Sequence, residues 1–191
     1  MHARSPKRFF TAAEYLAMER VADRKHEFYQ GEMYAMAGGS PAHDQIAGRL
    51  ITKLNVALEG RRCAVFTSDQ RVRVGDSGLY TYPDVSVACG ARFDEQGDTL
   101  LNPALVVEVL SEATEAYDRG KKFELYRTLP SLGDYVLASQ TEPKLEHFAR
   151  QPDGSWRLLV LGPGDRLHAG SLDCELAVDD VYRGVFDAGA S

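Results

Sequence analysis

No stretch of the chain approaches the ~20 consecutive apolar residues that a membrane-crossing helix requires, and no segment is repeated or low in complexity. Membrane-spanning and repeat architectures are thereby set aside. Basic charge is in deficit: 22 Lys and Arg stand against 28 Asp and Glu, a formal net charge of −6. The chain therefore lacks the general positive surface that draws phosphate backbones. Arg61 with Arg62, Arg71 with Arg73, and Lys121 with Lys122 are the places where a local basic patch could form, although solvated positions are the plainer reading of each pair. Cysteine is scarce. Cys63, Cys89 and Cys174 are odd in number, far apart and without a CxxC pair, a pattern that favours buried thiols in a reducing compartment over a disulfide framework or zinc site. The start, "MHARSPKRFF", has basic residues but no apolar core or cleavage site, so no signal peptide and a cytoplasmic location are expected. Nucleotide-binding loops are missing too. "AMAGGSPAHD" sets glycines before a helix, but has neither the Gly-Lys-Ser/Thr of a P-loop nor GxGxxG spacing.

What is present is an ordinary globular composition, 44% hydrophobic and 26% charged in 191 residues, enough for one domain with a real core, expected to span residues 1–191. Thr11 before "AAEYLAMER" predicts a capped helix. "KHEFYQGEMYAMAGG" alternates around Gln30-Gly31 and predicts a hairpin. Ser40-Pro41 followed by Ile46, Leu50, Leu54 and Leu58 predicts a second helix over about 40–59. Strands are expected near "CAVFTS", "QRVRVG", "YPDVSVAC" and "NPALVVEVLS", the last apolar on both faces and so central in a sheet. "GARFDEQGDTLL" reads as a loop. A helix from about Thr114 to near Pro130 has a weak spot at Gly120. "DYVLASQ", "KLEHFAR" and "SWRLLVLG" follow as strands, and a short apolar segment closes the chain. The sum is one mixed α/β domain.

Three residues break this pattern. Asp84 follows Pro83 at the mouth of a strand whose Val85, Val87 and Cys89 share one face, which puts Asp84 with Ser86 on the other. Glu108 interrupts "ALVVEVL", where an ionised carboxylate costs several kcal/mol unless something positive answers it. Lys122 lies on the following helix, with Asp118 and Tyr126 on its face at i−4 and i+4. Taken alone, these are a turn residue, half of an internal ion pair and a surface charge. Taken together, two acids on adjacent strands and a nearby ammonium provide what metal-assisted phosphodiester hydrolysis needs: oxygen ligands for a hard cation and a separate positive charge.

The succession "YPDVSV", "LVVEVLS" and "TEAYDRGKKFELYRTLPSLGDYVLAS", with "KHEFYQGEMYAMAGGSPAHDQIAGRL" upstream, resembles the Uma-type restriction endonuclease family of the PD-(D/E)XK nuclease superfamily, over about residues 10–185. The resemblance implies a restriction-endonuclease-like α/β fold, a central mixed β-sheet flanked by helices. It implies a metal-dependent endonuclease acting on nucleic acid, DNA in the first place, as a homodimer. Asp84 and Glu108 match the two acids, with the Val109 carbonyl completing a site for Mg²⁺ or Mn²⁺. Leu110 stands where the superfamily usually has lysine, and the Uma-type lysine falls on Lys122, with Lys121 as its neighbouring alternative. Glu27 and His43 match accessory positions and Gln45 a further polar one; a surface acid and a helix-start residue are the plain readings of Glu27 and His43. Asp69 is a further acid that reads as a turn. The alternative from another class is a nuclease fold used as a non-catalytic binding or assembly module, which the acidic balance favours.

Overall fold

The computed structural model describes residues 8–75 and 78–186. Thr11 starts α1 (Ala12–Glu19): its hydroxyl accepts from the Glu14 N–H while the Glu14 carboxylate accepts from the Thr11 N–H, a capping box. Gln30 and Gly31 take positive φ, 49° and 85°, the backbone that a two-residue hairpin turn requires. They join β1 (His26–Tyr29) to β2 (Glu32–Ala35). Ser40 caps α2 (Pro41–Ala57), Pro41 begins it, and Ile46, Leu50 and Leu54 form its buried stripe.

Then come β3 (Cys63–Thr67), β4 (Arg71–Val74), β5 (Leu79–Thr81), β6 (Val85–Cys89), β7 (Thr99–Leu100) and β8 (Leu105–Leu110). The helical region is built from α3 (Glu115–Tyr117), a π turn (Asp118–Lys122) and α4 (Phe123–Tyr126). The chain continues with β9 (Asp134–Ser139), β10 (Leu145–Arg150), β11 (Trp156–Leu161), β12 (Arg166–Ala169), β13 (Cys174–Ala177) and α5 (Val178–Tyr182).

A six-stranded sheet of order β11-β10-β9-β8-β6-β3 is mixed, because β8 and β9 run parallel while the other neighbours are antiparallel. A second sheet has the order β2-β1-β5-β4-β7, and β12 pairs with β13. As expected of a central strand, all six residues of β8 are buried. Leu105, Val107 and Val109 pack into one core with α2, β13 and α5, and Val106 and Leu110 into a second with β4, Leu79 and α4. Glu108 alternates with the latter and so points to the second core's side.

Three expectations change. Cys63 and Cys89 stand opposite one another in the β3–β6 register and form a disulfide, leaving Cys174 as the buried free thiol. Antiparallel pairing brings together two cysteines 26 residues apart in the chain, which their spacing did not announce. The "GARFDEQGDTLL" segment is not all loop, since Thr99–Leu100 pairs in parallel with Arg71 and Val72. The plainer reading of the arginine and lysine pairs as solvated holds for Arg61, Arg62, Arg73 and Lys121, but Arg71 is buried on Asp98 and Lys122 lies inside.

The start of β9 carries another buried charge. Asp134 Oδ1 lies 2.6 Å from His147 Nε2, and Oδ2 accepts from the Ser171 N–H at 2.9 Å. One carboxylate thus ties β9, β10 and the turn before β13. Burial pushes this carboxyl up, but the bonds from His147 and Ser171 outweigh it and hold it below its ordinary value. Asp134→Ala is expected to destabilise the fold by about 3 kcal/mol, read by urea unfolding. Because the folded carboxyl is depressed, its contribution is complete above the unfolded value of about 3.9 and fades as pH falls below it. The wild-type and variant unfolding midpoints should therefore converge in strong acid.

Candidate functional site

Asp84 and Glu108 come together through strand pairing. β6 and β8 are antiparallel neighbours with Val85 opposite Val107, and one further step of that register sets Asp84 across from Glu108. β6 ends before it can satisfy the Val109 N–H. The Asp84 carboxylate does so instead, accepting at 2.7 Å through Oδ2, a charge-assisted bond that fixes the side chain at the strand's mouth. From the first turn of α2, His43 Nε2 approaches the same oxygen at 3.2 Å. That bond raises the imidazole's pKa although burial opposes it.

Lys122 arrives from the helical side. Gly120 lies inside the π turn at 118–122, a local widening that shifts the helical frame and recurs at functional sites. Lys122 is turned inward, 5% exposed, while Lys121 stays outside on Glu124 at 3.2 Å. Aromatic packing secures the helix. Phe123 stacks on Tyr135 and meets Phe148 and Trp156, and the Tyr135 hydroxyl donates to the Asp118 carbonyl at 3.0 Å.

The Lys122 ammonium lies 2.9 Å from Glu108 Oε1, 3.0 Å from Glu27 Oε1 and 3.5 Å from Asp118 Oδ1. Three carboxylates share one cation. Tyr126 donates to Glu108 Oε1 at 3.2 Å, and Thr81 donates to Glu27 Oε1. Burial disfavours the charged ammonium, but Glu108 and Glu27 outweigh it, so the Lys122 pKa stands well above its usual value. Glu108 is also raised, by burial first, with Lys122 pulling it down and Asp118, Asp84 and Glu27 pushing it up. The two directions are compatible: the lysine keeps its proton, and the surplus negative charge makes Glu108 retain a proton or seek a further cation. Asp118 is raised by burial as well.

For Glu108, Glu27 and Asp84, the closest partners all fall on one oxygen, and no described residue donates a hydrogen bond to the other. Among the described residues, no three His, Cys, Asp or Glu side chains converge to cage an ion. The donor set is instead oxygen-rich, with Asp84 and Glu27 partly exposed beside the buried Glu108, a chemistry that fits Mg²⁺ or Mn²⁺: such ions need one or two carboxylates and keep several waters or substrate oxygens.

Every candidate residue thus has a place. Asp84, Glu108 and Lys122 line one region, Glu27 reaches it through Lys122, and His43 through Asp84. Gln45 is exposed on α2, and Asp69 pairs with Lys25 on the surface at 2.9 Å. Thr81 had no sequence signal, since "LYTYPD" gives no reason for its hydroxyl to meet a glutamate 54 residues earlier. Asp118 and Tyr126 carried one, their helical spacing from Lys122.

A family model described as "Uma2: Putative restriction endonuclease" matches residues 12–179. The chain belongs to the Uma2 family. It is 42% identical over 188 residues to an uncharacterized protein of Synechocystis sp., slr1290, covering 97% of this chain and 99% of that one. It is 37% identical over 156 residues to a second, sll1609, covering 81% and 88%. A crystal structure from Anabaena variabilis, described as a "putative nuclease belonging to DUF820", superposes with a TM-score of 0.74 over 91% of this chain and 97% of that one at 18% identity. That likeness establishes the restriction-endonuclease-like fold of this Uma2 protein.

The shared ammonium makes an energetic prediction for the Uma2 fold. Lys122→Met strands buried carboxylates and is expected to cost about 3–5 kcal/mol. Adding Glu108→Gln should restore part of that loss. A double-mutant cycle by chemical unfolding measures the coupling; strictly additive effects would show that the pair is not energetically linked.

Proposed function

We propose that this Uma2 chain is a metal-dependent endonuclease that hydrolyses phosphodiester bonds of nucleic acid, DNA in the first place. The observation that carries the reading is the surplus of carboxylate around Lys122, with an oxygen of Glu108 and of Asp84 left without a hydrogen-bond donor on neighbouring strands. Glu108, Asp84 and the Val109 carbonyl would hold Mg²⁺ or Mn²⁺. Val109 suits the part because the N–H and C=O of a strand residue point to the same side, and its N–H is the one that meets Asp84. When bound there, the ion supplies a Lewis acid for the scissile phosphate and lowers the pKa of a water.

The remaining roles follow from the charges. Lys122 holds its proton and, with its N–H groups directed at Glu108, Glu27 and Asp118, serves as a fixed positive charge that steadies the charge developing in the transition state, not as a base. Glu27 and Asp118 keep the ammonium placed, and Tyr126 orients Glu108. His43 steadies Asp84 from α2. The water oxygen forms a new bond to phosphorus as the ester P–O bond breaks, and the leaving oxygen takes up a proton. A homodimer is the proposed assembly, in which β11, at the sheet edge with exposed Leu158 and Val160, would offer the pairing surface.

Supercoiled plasmid, branched DNA, single-stranded DNA and RNA, each with Mg²⁺ or Mn²⁺, test the reading. Asp84→Asn, Glu108→Gln and Lys122→Met should each reduce cleavage by about a hundredfold or more, with circular dichroism confirming folded protein. Calorimetric titration with Mn²⁺ separates this reading from a non-catalytic module: heat should appear with wild type and vanish in Asp84→Asn and Glu108→Gln. Cleavage indifferent to all three substitutions would refute it.

A further inference from the structure

An open cleft of about 500 Å³ is lined by the start of β9, the end of β10, β11 and the β12 strand with the turn after it. It is separate from the site above. Asp134, which lines it, pairs with Leu105, whereas Glu108 pairs with Leu137 three residues further along β9, about 10 Å of strand. The two also lie on opposite faces: Asp134 alternates with Val136 of the first core, Glu108 with Val106 of the second.

The cleft's charge is cationic. Arg157 is exposed and forms no ion pair among the described residues, while Arg166 gives only Nε to Glu175, at 2.8 Å. His168 adds an exposed imidazole, whose Nδ1 lies 3.6 Å from the same Glu175. Arg150 also lines the cleft, but its guanidinium is committed to the carbonyls of Arg127 and Leu129. The acid in the wall, Asp134, has both oxygens engaged by His147 and Ser171.

The inner wall of the cleft is a buried histidine. His147 is 1% exposed, and although Nε2 meets Asp134, its buried Nδ1 has no hydrogen-bond partner among the described residues.

We propose that this cleft binds a phosphate group, with Arg157 and Arg166 as its guanidinium contacts and His147 at its inner wall, and that the ligand is a small phosphate ester of nucleotide size. Guanidinium forks match phosphate oxygens in pairs. The volume lies within the usual ~300–1,000 Å³ of small-molecule sites, and the position on the far face of the sheet separates the ligand from any strand being cut.

Calorimetry with inorganic phosphate, a nucleoside monophosphate and a single-stranded oligonucleotide tests this on wild type, Arg157→Glu and Arg166→Gln. Both arginines are exposed, so the variants should fold. The monophosphate is expected to bind saturably and to weaken about tenfold or more in each variant. It should also shift the His147 imidazole nitrogen resonances. Mn²⁺ heats should be the same in wild type and both variants, which keeps the outcome distinguishable from that of the nuclease reading. Absence of phosphate and monophosphate binding by wild type, or binding unchanged in both variants, overturns the proposal. Binding of the oligonucleotide alone overturns the small-ligand assignment.

Discussion

The ammonium of Lys122, buried among Glu27, Glu108 and Asp118, is the interaction on which the arrangement of this Uma2 protein depends. A lone carboxylate in the middle of β8 would be intolerable in a dry core. A lone lysine under the second sheet would be equally so. Each makes the other possible, and because they arrive on different elements, their pairing locks the helical region, β1 and β8 into one relation. The surplus negative charge that results is an unfavourable feature for stability alone. It becomes intelligible under the proposed metal-dependent reading, in which a cation would answer it.

The same economy governs how the strands end. β6 begins at Val85, two residues short of the position opposite Val109, and Asp84 meets the Val109 N–H with its side chain. A carboxylate used in this way is rigid without being buried, which suits a ligand that must present an oxygen outward. The π turn has a comparable effect on the helix, where it turns Lys122 inward and leaves Lys121 to solvent. In both places an irregularity in regular structure positions a charge.

Much of the site was legible in the chain itself because burial makes charge conspicuous. Glu108 stands out in "ALVVEVL" by interrupting an apolar run, and Asp118 and Tyr126 follow from helical spacing about Lys122. Glu27 and His43 came only through the family resemblance, since a strand acid and a helix-start histidine look ordinary. Thr81 and the Asp134–His147 pair gave no signal, because hydroxyls and paired charges betray themselves only by what lies opposite. The disulfide ran against expectation for the same reason: Cys63 and Cys89 meet through strand register, and spacing along the chain does not encode register across a sheet.

By itself the sequence determined the periodic elements: the capped helices, the Gln30-Gly31 hairpin, the central strand and the presence of a charge that needed an answer. These depend on neighbours a few residues apart, where propensity, caps and hydrophobic alternation act. Tertiary structure alone decided which residues answer Glu108, which of two adjacent lysines turns inward, and which cysteines pair. Those choices rest on contacts between residues far apart in the chain, set by how strands align and how a helix packs on them, and no local pattern carries that information.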